Sequence, residues 1–190
     1  HICKAGAEIR SNVRVGRDIT LEQLRAEHSA VYLAVGAWTG KPMRIAGEFE
    51  TQGVVSGIDF LEDRALDPKP VQGTVVVVGG GNTAMDVART AWRCGAEKVL
   101  LIYRRTRAEM PADSLEIQDC IDEGIEIMEL VAPVGLCAED GVLKAMRCIR
   151  MKLGEPDDSG RRRPIPIQGS EFEIPCQMAS AAIGQNPVLD

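Results

Sequence analysis

The chain has 190 residues, of which 45% are hydrophobic, 26% charged and 4% aromatic. That is room for one globular domain, or one domain and part of a neighbour, and far from a disordered or fibrous composition. Lys and Arg number 22 against 28 Asp and Glu, a net charge of −6, which argues against general nucleic-acid binding. No apolar run approaches the ~20 residues of a membrane span.

Alternation of Ile9, Val13 and Val15 with polar neighbours predicts a strand over 7–15. Thr20 and Gln23 form a capping box, so a short helix should follow to about residue 27. The apolar run at 30–35 predicts a buried strand that stops at Gly36. Residues 36–55, rich in Gly, Pro and Thr, predict loop. A helix should start near Ser56 and end before Pro68 and Pro70.

The five residues 74–78 read TVVVV, the pattern of a parallel strand buried on both faces. After three glycines the period changes. Ala84, Val87, Ala88 and Ala91 share one helical face, and Gly95 closes the helix. A second buried strand is predicted at 98–103, a helix at 113–123 closed by Gly124, and a third strand at 125–130. The order is β–α–β–α–β. Beyond it, strands are expected at 131–138 and 142–153 around an Asp140-Gly141 hairpin turn. A polar excursion at 156–163 follows, then short strands at 171–174 and 178–183.

Six cysteines stand at positions 3, 94, 120, 137, 148 and 176, with no C-x-x-C pair. The spacing offers no zinc knuckle, no dithiol centre and no iron–sulfur ligand set. Reduced, mostly buried thiols in a cytoplasmic protein are expected. No Ser/His/Asp, Cys/His or metal-spaced set is present, so no catalytic or metal-binding residue is assigned. His1 and His28 read as surface residues. With His1 rather than Met at the start and no signal-peptide pattern, the chain reads as a fragment or a processed form.

The chemistry-bearing motif is Gly79-Gly80-Gly81-Asn82-Thr83-Ala84, which fits G-x-G-x-x-A between a buried strand and an Ala-spaced helix. Gly79 allows the sharp turn, Gly81 lets a pyrophosphate approach the backbone, and Ala84 lets the helix lie against the strand. The helix N-terminus then faces the phosphates. A tight β–α turn with no ligand is the plainer alternative. At the end of the next strand, where an NAD site commonly has an acid, the chain has Tyr103-Arg104-Arg105. Two guanidinium groups suit a 2′-phosphate, each charge-assisted bond contributing about 1.5–3 kcal/mol, so NADPH is predicted over NADH. An exposed basic loop extended by Arg107 is the alternative there. The triplet Arg161-Arg162-Arg163, beside Asp157 and Asp158, reads as a solvated turn.

The stretch VVVVGGGNTAMDVARTAWRCGAEKVLLIYRRTRAEMPA resembles the NADPH-binding domain of the glutamate synthase small (β) subunit family. The wider group takes in the flavoprotein half of dihydropyrimidine dehydrogenase and, more distantly, adrenodoxin-type ferredoxin reductases. LAVGAW at 33–38 is similar to the family's A-T-G-A segment, with Val35 in place of Thr. AIGQNP at 182–187 is similar to its second such segment. The resemblance implies an α/β fold: a Rossmann-like three-layer nucleotide-binding domain with an adjoining β-meander, plus part of a FAD-type domain. Residues 1–70 would be a partial FAD-domain segment and linker, 71–184 the NAD(P)H-binding domain, and 185–190 the return towards the FAD domain. The family's first FAD fingerprint, its later flavin-contacting segment and its N-terminal iron–sulfur region would lie outside this chain.

Carried over by position, Gly79, Gly80, Gly81, Asn82 and Thr83 would contact the pyrophosphate. Arg104 and Arg105 would clamp the 2′-phosphate, and Glu116 would sit on the adenosine side. Ala182, Gly184 and Gln185 would lie near the nicotinamide half, and Val35, Gly36 and Ala37 where the chain leaves the FAD domain. Asp86 reads as structural. The implied function is hydride transfer from NADPH to FAD, then to iron–sulfur centres outside this chain and a partner subunit or domain. The piece alone would bind nucleotide without turnover. Two rivals remain open: a non-redox NADP-binding module, sensory or structural, and a self-contained dehydrogenase. The latter would lack a substrate domain and a Tyr-x-x-x-Lys pair, since Arg107 follows Tyr103 at that spacing.

Overall fold

The structure is a computed structural model and describes residues 1–158 and 160–188. They fall into two compact units, Trp38–Asn186 and His1–Ala37 with Pro187 and Val188.

In the larger unit the strands are β1 (Thr39–Gly40), β2 (Val54–Ser56), β3 (Thr74–Val78), β4 (Lys98–Tyr103), β5 (Glu126–Glu129), β6 (Val131–Glu139), β7 (Val142–Pro156), β8 (Arg162–Pro175), β9 (Met178–Ala181) and β10 (Gln185–Asn186). The helices of the chain are α1 (Leu21–Glu27), α2 (Gly57–Leu66), α3 (Asn82–Arg93) and α4 (Ser114–Asp122). A five-stranded parallel sheet runs in the order β2-β9-β3-β4-β5, and β6-β7-β8 form an antiparallel meander.

The valine run explains the layering. Successive strand side chains point to opposite faces. Val75 and Val77 pack with Ala84, Val87, Ala88 and Ala91 of α3. Val76 and Val78 pack with Leu143, Met146, Cys148 and Ile174 of the meander. Helices thus cover one face and the meander the other, which is why β3 tolerates no polar alternation. The α/β, Rossmann-like three-layer reading with an adjoining meander holds. β8 is longer than the short strand expected at 171–174, because it pairs along β7 from Pro156↔Arg162 to Ala145↔Pro175. Two short strands, β1 and β2, arise where loop was expected, and β9 stops two residues early, at Ala181.

In the other unit, α1 starts at the expected capping box: Thr20 Oγ1 accepts from Gln23 N at 3.1 Å, and Gln23 Oε1 from Thr20 N at 2.8 Å. The two strands expected there do not form. Residues 7–15 contain only an isolated bridge from Val15 to Ile19. Residues 30–35 are irregular, with Tyr32 92% exposed. An apolar run becomes a strand only with a neighbour to take its backbone hydrogen bonds, and among the described residues neither run has one.

Candidate functional site

β3 leads directly into the glycine turn and α3. Gly79 has φ +151°, and a Cβ there would overlap the Ala182 carbonyl oxygen. Gly79 N–H donates to Ile102 O at 3.1 Å, and Ala182 N–H to Val78 O at 2.8 Å. The turn is therefore held between the ends of β4 and β9. A Cβ on Gly80 would lie 2.6 Å from the Tyr103 ring. Gly81 differs: its nearest such neighbour is Pro111 Cγ at 3.9 Å. The first two residues Gly79 and Gly80 are small for packing, whereas the space above Gly81 is open.

Gly81 caps α3 with no side-chain hydrogen bond. Among the described residues the amides of Gly81, Asn82 and Thr83 donate no hydrogen bond, while Ala84 N–H donates to Gly81 O at 2.9 Å. Open amides at a helix N-terminus, beside a vacant approach to the backbone, suit the oxygens of a pyrophosphate. Asn82 turns its side chain sideways, Oδ1 accepting from Asp113 N at 2.9 Å. Asp113 in turn caps α4, accepting from Leu115 N at 2.8 Å. Both helices thus start at one end of the sheet.

The loop after β4 walls the same end. Ala112 N–H donates to Gly80 O at 3.1 Å, and the Tyr103 hydroxyl to Glu109 O at 2.9 Å. A cleft of about 530 Å³ opens between this loop and α4, lined by Met110, Ala112, Ser114, Ile117 and Ile121. Hydrogen bonding from Thr106 holds the Glu109 carboxyl below its ordinary range.

Arg104 and Arg105 part company. Arg104 is exposed and makes no ion pair or hydrogen bond from its side chain among the described residues. Arg105 is 4% exposed. Its Nε donates to Arg162 O at 2.6 Å and its terminal nitrogen to Asp157 Oδ2 at 2.7 Å. Arg105 is therefore turned into the mouth of the β7–β8 hairpin instead of standing open beside Arg104. Arg107 is fastened to Glu129, by its amide at 2.9 Å and its guanidinium at 3.3 Å.

Glu116 is paired too. Arg89 of α3 reaches Glu116 at 3.0 Å, Asp119 at 3.1 Å and Glu123 at 2.8 Å, tying α3 to α4. Arg93 adds a second contact to Glu123 at 2.6 Å. Arg93, then Arg89, hold the Glu123 carboxyl below the ordinary glutamate range. Asp86 is shifted the other way, raised by desolvation and then by Glu116. It is exposed.

On the far side of the turn, Gln185 Nε2 donates to Thr83 Oγ1 at 2.9 Å. Strand β10, which carries Gln185, pairs with β1 through Gly40↔Gln185. Ala182 is buried at the end of β9, and Gly184 has φ +118°. Thr83, Ala182, Gly184 and Gln185 are thus brought to one side of the α3 N-terminus. Val35, Gly36 and Ala37 belong to the other unit: Val35 is 51% exposed, Gly36 has φ +69° and Ala37 is half-buried. Sequence reasoning passed over Asp157, whose partner lies 52 positions away. Its only sequence signal was an acid placed between arginines.

All six cysteines are free thiols. Burial pushes the thiols of Cys120 and Cys176 up to about 11 and that of Cys148 to about 12. Among the described residues, no group of three or more His, Cys, Asp or Glu could hold a metal ion, and no helix is long and apolar enough to cross a membrane.

The family model described as pyridine nucleotide-disulphide oxidoreductase matches residues 7–188. The β subunit of NADP(+)-dependent formate dehydrogenase from Moorella thermoacetica is 52% identical over 183 residues, which cover 95% of this chain and 26% of that protein. The glutamate synthase [NADPH] small chain of Halomonas elongata is 36% identical, over 96% of this chain and 40% of that protein. The chain thus spans less than half the length of either relative. Mycobacterium tuberculosis FprA, solved in complex with NADPH, superimposes with a TM-score of 0.76 at 20% identity, covering 93% of this chain and 54% of FprA. That likeness is one of fold.

Proposed function

The chain belongs to the pyridine nucleotide-disulphide oxidoreductase family, and we propose that its Trp38–Asn186 unit holds NADPH in a flavin-linked oxidoreductase. One observation carries this reading. The open backbone at Gly81 and the unpaired first amides of α3 lie at the same sheet end as Arg104, the exposed guanidinium just beyond β4. A dinucleotide with a 2′-phosphate needs both: amides for its pyrophosphate and a cation for its phosphomonoester.

In this reading Gly79 and Gly80 shape the turn, and Gly81, Asn82 and Thr83 present amides to the pyrophosphate. Arg104 takes the 2′-phosphate, with Arg105 holding the loop behind it. Glu116 lines the adenosine side. Ala182, Gly184 and Gln185 line the nicotinamide side, with Gln185 fixing Thr83 in place. Val35, Gly36 and Ala37 belong to the FAD-facing part. When bound, NADPH would supply a hydride and FAD would be its acceptor, so the cofactors would carry the chemistry. The chain's own contribution is position and electrostatics, with no acid–base residue required of it. Iron–sulfur centres and a partner subunit or domain that accepts the electrons would lie outside this chain. The names of the relatives, a β subunit of an NADP(+)-dependent enzyme and a small chain of an [NADPH] enzyme, support the nucleotide and a partner subunit. The reduced thiols fit a cytoplasmic setting.

Calorimetric titration with NADPH and NADH tests the reading. NADPH should bind at least about tenfold tighter, as one or two charge-assisted bonds imply, and Arg104→Gln should remove the difference. Equal binding of the two nucleotides by the unaltered protein overturns it.

A further inference from the structure

The β7–β8 hairpin reads from sequence as a solvated excursion, yet its mouth is fastened to the loop that follows β4. Arg105 spans both arms. It reaches Asp157, just past β7, at 2.7 Å and the backbone of Arg162, the first residue of β8, at 2.6 Å. The Arg105 side chain is 5% exposed and that of Asp157 25%. Within the mouth Asp157 N–H donates to Arg161 O at 2.8 Å. On the strand side, Leu130 N–H donates to Arg105 O at 3.0 Å, and Met151 N–H to Leu130 O at 2.8 Å. A buried charge pair is costly unless paired and further hydrogen-bonded, and this one is.

The consequence is positional. With its carbonyl on Arg105, Arg162 stands over the 105–109 loop, and its Nε lies 3.9 Å from Glu109 Oε1. That contact is long for an ion pair. The Arg162 side chain is 55% exposed, and the Glu109 carboxylate is turned inward, bonded to Thr106 N and Oγ1. Arg162 is thus a loosely tethered guanidinium held over the loop that also carries the open Arg104.

We propose that the hairpin mouth completes the phosphomonoester end of the nucleotide site. Arg162 acts as the second guanidinium with Arg104, and the Asp157–Arg105 pair is the lock that positions it. The proposal rests on the nucleotide reading above but changes its clamp. The two cations come from different layers of the fold, one from the parallel sheet and one from the meander.

Titration with adenosine 2′,5′-bisphosphate and adenosine 5′-monophosphate separates the possibilities, because the two probes differ by the 2′-phosphate alone. Arg162→Gln should weaken the bisphosphate about 5- to 10-fold, leave the monophosphate unchanged and make bisphosphate binding less salt-dependent. Arg162→Lys should recover part of the loss. Asp157→Asn should lower selectivity in the same direction, and its melting curve shows whether the protein remains folded. If Arg104→Gln abolishes selectivity while Arg162→Gln and Asp157→Asn leave it intact, the nucleotide reading stands and the hairpin proposal falls. If the unaltered protein does not distinguish the two probes, the reading beneath both fails.

Discussion

Gly79 and Gly81 sit two residues apart in one turn and should respond oppositely to the same methyl group. At Gly81 the backbone has φ −98° and ψ 175°, a conformation alanine adopts freely. The added Cβ meets nothing nearer than Pro111 Cγ at 3.9 Å. Alanine is a poorer helix cap than glycine by about 0.5–1 kcal/mol, and its smaller unfolded-state entropy returns about 0.4–1 kcal/mol. The net effect on stability is near zero, and the melting temperature should move by no more than about 2 °C. The methyl group nevertheless occupies the space through which a pyrophosphate would reach the amides of α3. NADPH affinity should fall at least about tenfold, which is ~1.4 kcal/mol. At Gly79 the order reverses. There φ is +151°, and a Cβ would overlap the carbonyl oxygen of Ala182. Strain of about 1–3 kcal/mol and overpacking of a similar size should lower the melting temperature by about 5 °C or more. Differential scanning fluorimetry and NADPH titration of Gly81→Ala and Gly79→Ala read both quantities. Gly81→Ala binding NADPH as tightly as the unaltered protein would refute the placement of the pyrophosphate.

Three further outcomes follow from the geometry. The Glu123 carboxyl is held low by Arg93 and Arg89, so its pairing stabilises the fold above the ordinary glutamate range and is lost as pH falls through the depressed folded value. Urea unfolding across acidic pH should show Glu123→Gln losing stability less steeply than the unaltered protein, and parallel curves would count against the pairing. The hydrogen bond from Gln185 to Thr83, at 2.9 Å, should give a coupling of about 0.5–1.5 kcal/mol in a cycle of Thr83→Val and Gln185→Leu; zero coupling would disprove it. Iodoacetamide at pH 8 should label the exposed Cys3 and spare Cys120, Cys148 and Cys176, buried thiols pushed to about 11, 12 and 11. Mass spectrometry showing native labelling of Cys148 would contradict its burial.

The legible parts of the fold were those whose partners are near in sequence or implied by pattern. TVVVV, the Ala-spaced helix and KVLLIY each announce burial, and a parallel strand with no polar alternation must be covered on both faces. The capping box at Thr20 was legible for the same reason, since both partners lie within four residues. The run at 30–35 is as apolar as β4, yet it forms no strand among the described residues. Hydrophobicity states that a segment should be covered; it does not state by what. Glu116 shows the converse. Its side chain meets Arg89, a cation 27 positions back on the neighbouring helix, which no local pattern announces.

Arg104 and Arg105 are separated by a contact that no local pattern in the sequence announces. Their charge and their place at the end of β4 suit a single clamp. Consecutive residues leaving a strand direct their side chains to opposite faces. On this sheet one face belongs to the helices and the other to the meander. Two adjacent arginines at the end of β4 therefore cannot both reach one small anion without the chain turning between them. The alternation that puts Val99, Leu101 and Tyr103 against the helices and Leu100 and Ile102 against the meander would carry Arg105 to the helix side; the chain instead turns after Tyr103, and Arg105 finds Asp157 of the meander hairpin. If a second cation is needed for the phosphomonoester, it must come from a segment that approaches Arg104 through space, and the meander's hairpin mouth makes that approach. Adjacent like charges at a strand end thus need not share one site: here one guanidinium stands open and the other locks a hairpin, and a partner 52 positions away, not the period of the strand, decides which is which.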